Sequence, residues 1–342
     1  MIRRLFPLTV GAICLAGAAA GAAHADTLDT VRERGHLKCG INTGVVGFAA
    51  PDDKGVWRGF DVDLCRAVAA ALFGDPDKVK YSNLTGKTRF TALRSREIDL
   101  LSRNTTWTFS RDTDLQLTFA GVNYYDGQGF MVPKSLGVKS AKDLNGASVC
   151  IQTGTTTELN LADFFRLNGM TYKAVPIETT TEALSIYLAG RCDVYTTDAS
   201  GLAATRAATK NPAAHDILPE IISKEPLGPV VRQGDEKWAD IVRWTLNALI
   251  AAEEFGVTAA NAKDMAGASK NPEVRRLLGA EELQGRAALG LDPAWAVNVI
   301  AGVGNYGEIF ERHLGRNTAV GLARGLNAQW KDGGLMYAAP FR

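Results

Sequence analysis

The sequence predicts an α/β protein of two similar lobes, each built on a parallel sheet flanked by helices. Three observations predict it. The chain has 342 residues, which at roughly 150 residues per domain suggests about two domains. Short apolar runs alternate with helical patterns in the order β-α-β-α-β, the pattern of parallel sheets. A helix, a short polar link and a strand beginning x-Asp-apolar also occur twice, near 89–101 and 181–195. Two copies at so long a period indicate paired lobes and not a solenoid.

The elements follow in order. Residues 37–41 form a short strand, and a glycine-rich stretch runs on to Gly47. After the turn Asp53-Lys54-Gly55, residues 61–73 form a helix, because Leu64, Val68 and Leu72 recur at i, i+4 and i+8. Gly74 and Pro76 end it. Residues 79–82 are a strand, 89–96 a helix with Phe90 and Leu93 on one face, and 98–101 a strand. The pattern then repeats, with strands at 147–151, 175–177 and 192–195 and helices at 155–167 and 181–189. Val230-Val231 is a strand, and residues 238–254 form a long amphipathic helix. The last hundred residues are mostly helical, with Gly and Pro breaks.

The N-terminus reads as a secretory leader. Arg3 and Arg4 precede an uncharged stretch from Leu5 to Ala23, and Ala23-His24-Ala25 closes it. The alternative is a membrane anchor, because the run is just long enough to span. Pro7 and the Ala/Gly-rich second half argue for a leader, 1–25, cleaved after Ala25. Cys14 suggests a lipoprotein, but Gly11-Ala12-Ile13 is a poor lipobox. No later segment has transmembrane character, so the expected product is a soluble, periplasmic chain in a Gram-negative cell. Loss of Arg3 and Arg4 would shift the formal charge from +1 to −1. Either value argues against nucleic acid as the main partner. Of the five cysteines, Cys14 leaves with the leader. Cys39, Cys65, Cys150 and Cys192 remain, with three possible pairings or four free thiols as the alternatives.

Most chemical motifs fail. Gly302-Val303-Gly304-Asn305-Tyr306-Gly307 matches GxGxxG, but no second strand follows to complete a βαβ unit. A tight turn before a helix starting at Glu308 accounts for it. Gly86-Lys87-Thr88 resembles the end of a Walker A loop, yet Tyr81 stands where glycine is required. His36, His215 and His313 are scattered, with neither HExxH nor a Cys/His cluster, so neither metal nor cofactor is expected. There is no GxSxG elbow. The sequons at Asn83 and Asn104 carry little meaning in a bacterial export.

The mouths of the sheets are more informative, since ligands of open α/β sheets sit at the carboxyl ends of strands. One such segment runs from Ser102 to Asp112 and holds Asn104, Thr106, Trp107 and Arg111. A second, Gln152 to Glu158, opens a helix with Gly154, Thr155 and Thr156, where free N–H groups favour anions. Asp198 ends the strand at 193–197. A guanidinium, a carboxylate and neutral donors together suit a zwitterion. Each residue has an alternative. Arg111 is equally a surface partner of Asp112 or Asp114, Thr155 and Thr156 are equally helix N-caps, Asp198 is equally a cap, and Trp107 reads as a core residue more readily than as a ligand shelf.

These segments carry a resemblance. Gly59-Phe60-Asp61-Val62-Asp63-Leu64, Arg89 to Leu93, Asp99, Thr108 to Arg111, Gln152 to Glu158 and Cys192 to Asp198 are similar to the polar amino-acid substrate-binding proteins of ABC importers. Tyr124 to Val132, Leu218 to Pro229, Val303 to Phe310 and Arg324-Gly325-Leu326-Asn327 narrow it to the general L-amino-acid-binding subfamily. The resemblance covers essentially the whole mature chain. It implies a two-lobed periplasmic binding protein type II fold, each lobe a mixed, largely parallel sheet, with lobe 1 at 26–130 and 229–342 and lobe 2 at 131–228.

It further implies that Arg111 takes a ligand carboxylate, helped by Thr106 and the backbone at Thr155 and Thr156. Asp198 would take the α-ammonium, and Asn104 would line the site. Smaller members cover the ligand with an aromatic residue a few positions before Phe48; here Gly44-Val45-Val46-Gly47 stands there, leaving Phe48 and Trp107 as candidates. The subfamily pairs Cys39 with Cys65 and Cys150 with Cys192. The expected partners are free L-amino acids, acidic and amide side chains included, and an inner-membrane ABC permease, with the protein a monomer and not an enzyme. The rivals are a cyclohexadienyl dehydratase-like enzyme on the same fold and a ligand-binding component for a chemoreceptor.

Overall fold

The structure is a computed structural model that describes residues 26–342. The leader, its cleavage after Ala25 and Cys14 lie outside the described residues. The chain builds two five-stranded sheets of matching topology. The first has the order Val79–Asn83, Leu37–Ile41, Leu100–Leu101, Val230–Arg232, Leu117–Phe119. The second has the order Lys173–Ile177, Ser148–Gln152, Val194–Asp198, Gln128–Pro133, His215–Ile217. In each sheet the second strand, Leu37–Ile41 or Ser148–Gln152, pairs in parallel with both neighbours. In each, one strand runs antiparallel to both of its neighbours: Val230–Arg232 in the first and Gln128–Pro133 in the second.

Those reversed strands are the ones that arrive from the other sheet. The two connecting segments, Tyr124–Asp126 and Glu225–Leu227, pair with each other as a short antiparallel ribbon. Pro226 faces Tyr125 in that ribbon and has no N–H to give. The Tyr125 backbone is satisfied from its other side instead. Its N–H donates to Asn327 Oδ1 at 2.7 Å, and its carbonyl accepts from Asn327 Nδ2 at 3.1 Å. Arg324, paired in two-pronged fashion with Glu253 at 2.7 and 3.0 Å, anchors this C-terminal strap.

The helices form for the reasons the sequence suggests, with sharper ends. Phe60–Phe73 starts one residue before the expected start at 61 and stops at Gly74, whose φ of 68° suits glycine. Arg89–Arg94 is shorter than expected, because Arg96 turns into a positive φ of 63°. The glycine run near 302–307 is a helix end followed by a capped helix start. Trp295–Val303 stops at Gly304, and Asn305 and Glu308 form a capping box for Tyr306–His313. The disulfides are Cys39–Cys65, tying the strand Leu37–Ile41 to the helix Phe60–Phe73, and Cys150–Cys192, tying Ser148–Gln152 to the residues before Val194–Asp198.

One ionic cluster locks the first lobe's helical layer. The Asp63 carboxylate, buried in the first turn of Phe60–Phe73, accepts from His313 Nε2 at 2.7 Å, Arg312 at 2.5 Å and Arg66 at 3.0 Å. Burial alone would raise this carboxyl, but the bonds and charges of His313 and Arg312 hold it down to about 2. The folded value lies below the ordinary one, so this stability is present above about pH 4 and is lost as pH falls towards about 2. Asp63→Asn is expected to lose about 2 kcal/mol at neutral pH. Denaturant titrations of both proteins should converge as pH falls through that window, and a deficit independent of pH would contradict the assignment.

Candidate functional site

The two sheets meet at their carboxyl ends, and the chain there is drawn tight. Gly86, after the strand Val79–Asn83, approaches the turn at 153–154 so closely that a Cβ would sit 2.6 Å from the Thr153 carbonyl. Lys87 Nζ reaches Glu178 Oε1 at 2.9 Å, and Arg89 donates to the Gly154 carbonyl at 3.4 Å. A cavity is enclosed between these edges. Asn42, Val45, Arg89, Arg103, Asn104 and Thr106 line it from one side. Gln152, Thr155, Thr156, Thr180, Tyr195 and Asp198 are among those lining it from the other.

Three arginines gather here, all of them buried. Arg89 opens the helix Arg89–Arg94 and lies over the Phe90 ring at 4.7 Å; its Nε has no partner. Arg103 donates through Nε to the Leu84 carbonyl at 2.8 Å, which leaves one terminal nitrogen unpartnered. Arg111 donates to the Thr106 carbonyl at 2.8 Å and shares the Phe90 ring at 5.2 Å. None of the three is in an ion pair among the described residues, and neither Asp112 nor Asp114 pairs with Arg111. Desolvation lowers all three, Arg103 to about 10, and repulsion from neighbouring arginines adds to it at Arg89 and Arg103.

Carboxylates ring the same space. Asp198 ends the strand Val194–Asp198 and precedes the helix Ala199–Ala207, yet its side chain caps nothing. Desolvation, with the charges of Asp126 and Glu225, raises it well above the carboxylate range. Asp126 accepts from Gly127 N at 2.8 Å and from the Ser200 hydroxyl, and desolvation raises it to about 6. Glu225, on the connecting ribbon, accepts from Thr106 Oγ1 at 2.5 Å, Thr156 Oγ1 at 2.9 Å, Asn160 at 2.6 Å and Ser223 at 2.7 Å. Asp61 is buried behind the loop at 102–104, where it accepts from Ser102 Oγ and Asn104 N; burial raises it to about 7. That loop holds Asn104 at a φ of 38°, a conformation that asparagine tolerates.

The structure therefore brings together Asn104, Thr106, Thr155, Thr156 and Asp198 around one cavity, with Arg111 directly behind Thr106. Thr155 sits at the N-cap of Thr156–Leu167 but turns its hydroxyl to the Gln152 carbonyl at 2.6 Å. Phe48 and Trp107 do not join them. Phe48 is in the core, edge-on to Phe60 and Tyr124 at 6.1 and 5.5 Å. Trp107 stacks on Phe119 at 5.4 Å and faces a different surface hollow, beside Tyr125 and Tyr337. An aromatic partner within its own lobe claims each ring, so neither covers the cavity. The residues that sequence reasoning missed are Arg89, Arg103, Asp126 and Glu225. Arg103 lay inside the quoted mouth segment, and Arg89 follows the strand Val79–Asn83 just as that segment follows Leu100–Leu101. Glu225 gave no signal, because it acts from the ribbon between the sheets.

Chemically, the site offers unpaired cations for an anion and a desolvated acid for a cation. A cation docking on Asp198 needs the ionised carboxylate, so a proton held there must leave on binding. Lower pH then opposes binding. With L-glutamate as the probe, affinity by calorimetry should weaken as pH is lowered, by up to about tenfold per unit for one proton displaced. A flat profile would contradict the role of Asp198.

Residues 37–259 match the bacterial extracellular solute-binding proteins, family 3. The chain is 63% identical over 332 residues to the glutamate/glutamine/aspartate/asparagine-binding protein of Rhodobacter capsulatus, covering 97% of this chain and 98% of that one. It is 58% identical over 343 residues to the general L-amino acid-binding periplasmic protein of Rhizobium johnstonii, covering 100% of both. Among solved structures it is similar to an ABC transporter periplasmic binding protein from Brucella ovis with glutathione bound. That match has 60% identity and a TM-score of 0.90, over 93% of this chain and 100% of that chain.

Proposed function

From the premise that this chain belongs to the bacterial extracellular solute-binding proteins, family 3, we propose that it is a periplasmic carrier of L-amino acids, acidic and amide side chains included. It captures them in the cleft and delivers them to an ABC permease. The observation that carries the reading is a set of three buried arginines without carboxylate partners, Arg89 and Arg103 facing Asp198 across an enclosed cavity and Arg111 behind Thr106. A zwitterion completes that set. Arg111, aided by Thr106 and the backbone N–H groups at Thr155 and Thr156, takes the α-carboxylate. Asp198 takes the α-ammonium and Asn104 lines the wall. Arg89 and Arg103, with their free nitrogens, take a side-chain carboxylate or amide oxygen.

The binding step is closure without chemistry. The bodies that move are 26–130 with 229–342, and 131–228, turning about the ribbon Tyr124–Asp126 and Glu225–Leu227. Ligand touches both walls only when the cleft is shut, so it favours the shut form. The names of the Rhodobacter and Rhizobium relatives support this ligand class. Glutathione, bound in the Brucella relative, belongs among the compounds to be tried.

A thermal-shift screen of the L-amino acids, their D-enantiomers and glutathione tests the reading. A ligand at a hundred times its Kd stabilises by about 2.7 kcal/mol. L-glutamate, L-glutamine, L-aspartate and L-asparagine should raise Tm and their D-forms should not; no shift with any of them would overturn the proposal. Arg111→Ala should cost about 2 to 3 kcal/mol of L-glutamate binding by leaving a buried carboxylate unpaired. Turnover of arogenate or prephenate by the purified protein would instead establish an enzyme.

A further inference from the structure

The charged cavity is not the end of the cleft. Val45 and Thr180 line it and also line a second chamber beyond it. Across that threshold the chemistry changes. On the inner side stand Arg89, Arg103 and Asp198. On the outer side the walls are Gly44, Val45 and Val46 from one lobe, with Leu184 and Ala208 among those facing them. No charged side chain lines this outer chamber. Its volume is about 150 Å³, a size that in an engineered protein cavity admits benzene. At the rim a Cβ on Gly44 would lie 3.5 Å from Thr181 Oγ1, so the lobes nearly touch there without sealing.

We propose that this chamber is a tail subsite, and that the protein binds α-amino acids whose side chain continues past its acyl group as an uncharged extension, above all N-substituted glutamine amides. The inference rests on the amino-acid reading of the inner cavity and extends it. The charged head and the side-chain oxygen stay with the arginines and Asp198. The substituent passes between Val45 and Thr180. Glycine and two valines supply one wall, so space remains that a larger residue at 44–46 would fill. An alkyl group of about six heavy atoms or fewer fits the volume. Each methylene buried against Val45, Val46 and Leu184 should tighten binding by up to about fourfold. A charged extension finds no partner in these walls and is disfavoured unless it reaches past Thr181 into water.

Calorimetry on the mature chain with L-glutamine and with N5-butyl-L-glutamine tests the subsite. Wild type should bind both, the butyl derivative within about tenfold of L-glutamine or tighter. Leu184→Trp, which fills the chamber from within, should keep L-glutamine affinity and lose the butyl derivative by at least about tenfold. Thr181→Trp, at the rim, repeats the test where a core substitution is not involved. Wild type that binds L-glutamine but not the butyl derivative overturns the chamber and leaves the amino-acid reading standing. So does equal binding of the butyl derivative by wild type and both variants. Failure of wild type to bind either ligand overturns both readings.

Discussion

Three guanidinium groups buried side by side without a carboxylate partner are the constraint on which the rest of this structure turns. An unpaired charge taken out of water costs several kcal/mol, and Arg89, Arg103 and Arg111 are all buried. Their hydrogen bonds go mostly to main-chain carbonyls of Leu84, Thr106 and Gly154, which orient the groups but do not neutralise them. The nearest acids are occupied elsewhere. Glu225 is committed to Thr106, Thr156, Asn160 and Ser223, and Asp61, whose charge acts on Arg103, to Ser102 and Asn104. Desolvation pushes Asp198 towards its neutral form. On the proposed reading an α-amino acid answers both needs at once, bringing a carboxylate to the arginines and an ammonium to Asp198. Binding and closure then become one event.

The scaffold holds this arrangement in register. Equivalent sheets place their carboxyl ends face to face, and in each lobe a disulfide fixes the strand with two parallel neighbours to an adjoining element. Among the described residues the only β-ladder between the lobes is the short ribbon, with a single bridge from Thr106 to Leu227 beside it. Glu225 is part of that ribbon and also reaches hydroxyls on both walls, which couples the hinge to the site. On the opposite side Asn327 occupies the Tyr125 backbone. The C-terminal strap thus braces one ribbon strand, while the other is held by the Trp107 N–H on the Pro226 carbonyl at 2.8 Å.

Much of this was legible in the chain. The two α/β lobes followed from periodicity and from the repeated helix–link–strand unit. Asn104, Thr106, Thr155, Thr156 and Asp198 followed from their position at strand ends, a topological rule that does not need the fold in advance. The aromatic assignments did not follow. Phe48 and Trp107 sit close to the site in sequence, but burial against Phe60, Tyr124 and Phe119 decides their direction, and no local pattern encodes that. Arg89 escaped notice because a basic residue opening a short helix reads as solvated until the other lobe covers it. Glu225 escaped because its role exists only when both walls are near. What local sequence leaves out is contact made by closure.

The central claim is that ligand charge holds the cleft shut. Small-angle scattering of the mature protein, with and without saturating L-glutamate, tests it most directly. The account predicts a larger radius of gyration without ligand, contracting on addition of L-glutamate to the value calculated from this closed arrangement. A ligand-free protein already as compact as the liganded one, with no change on titration, would contradict it.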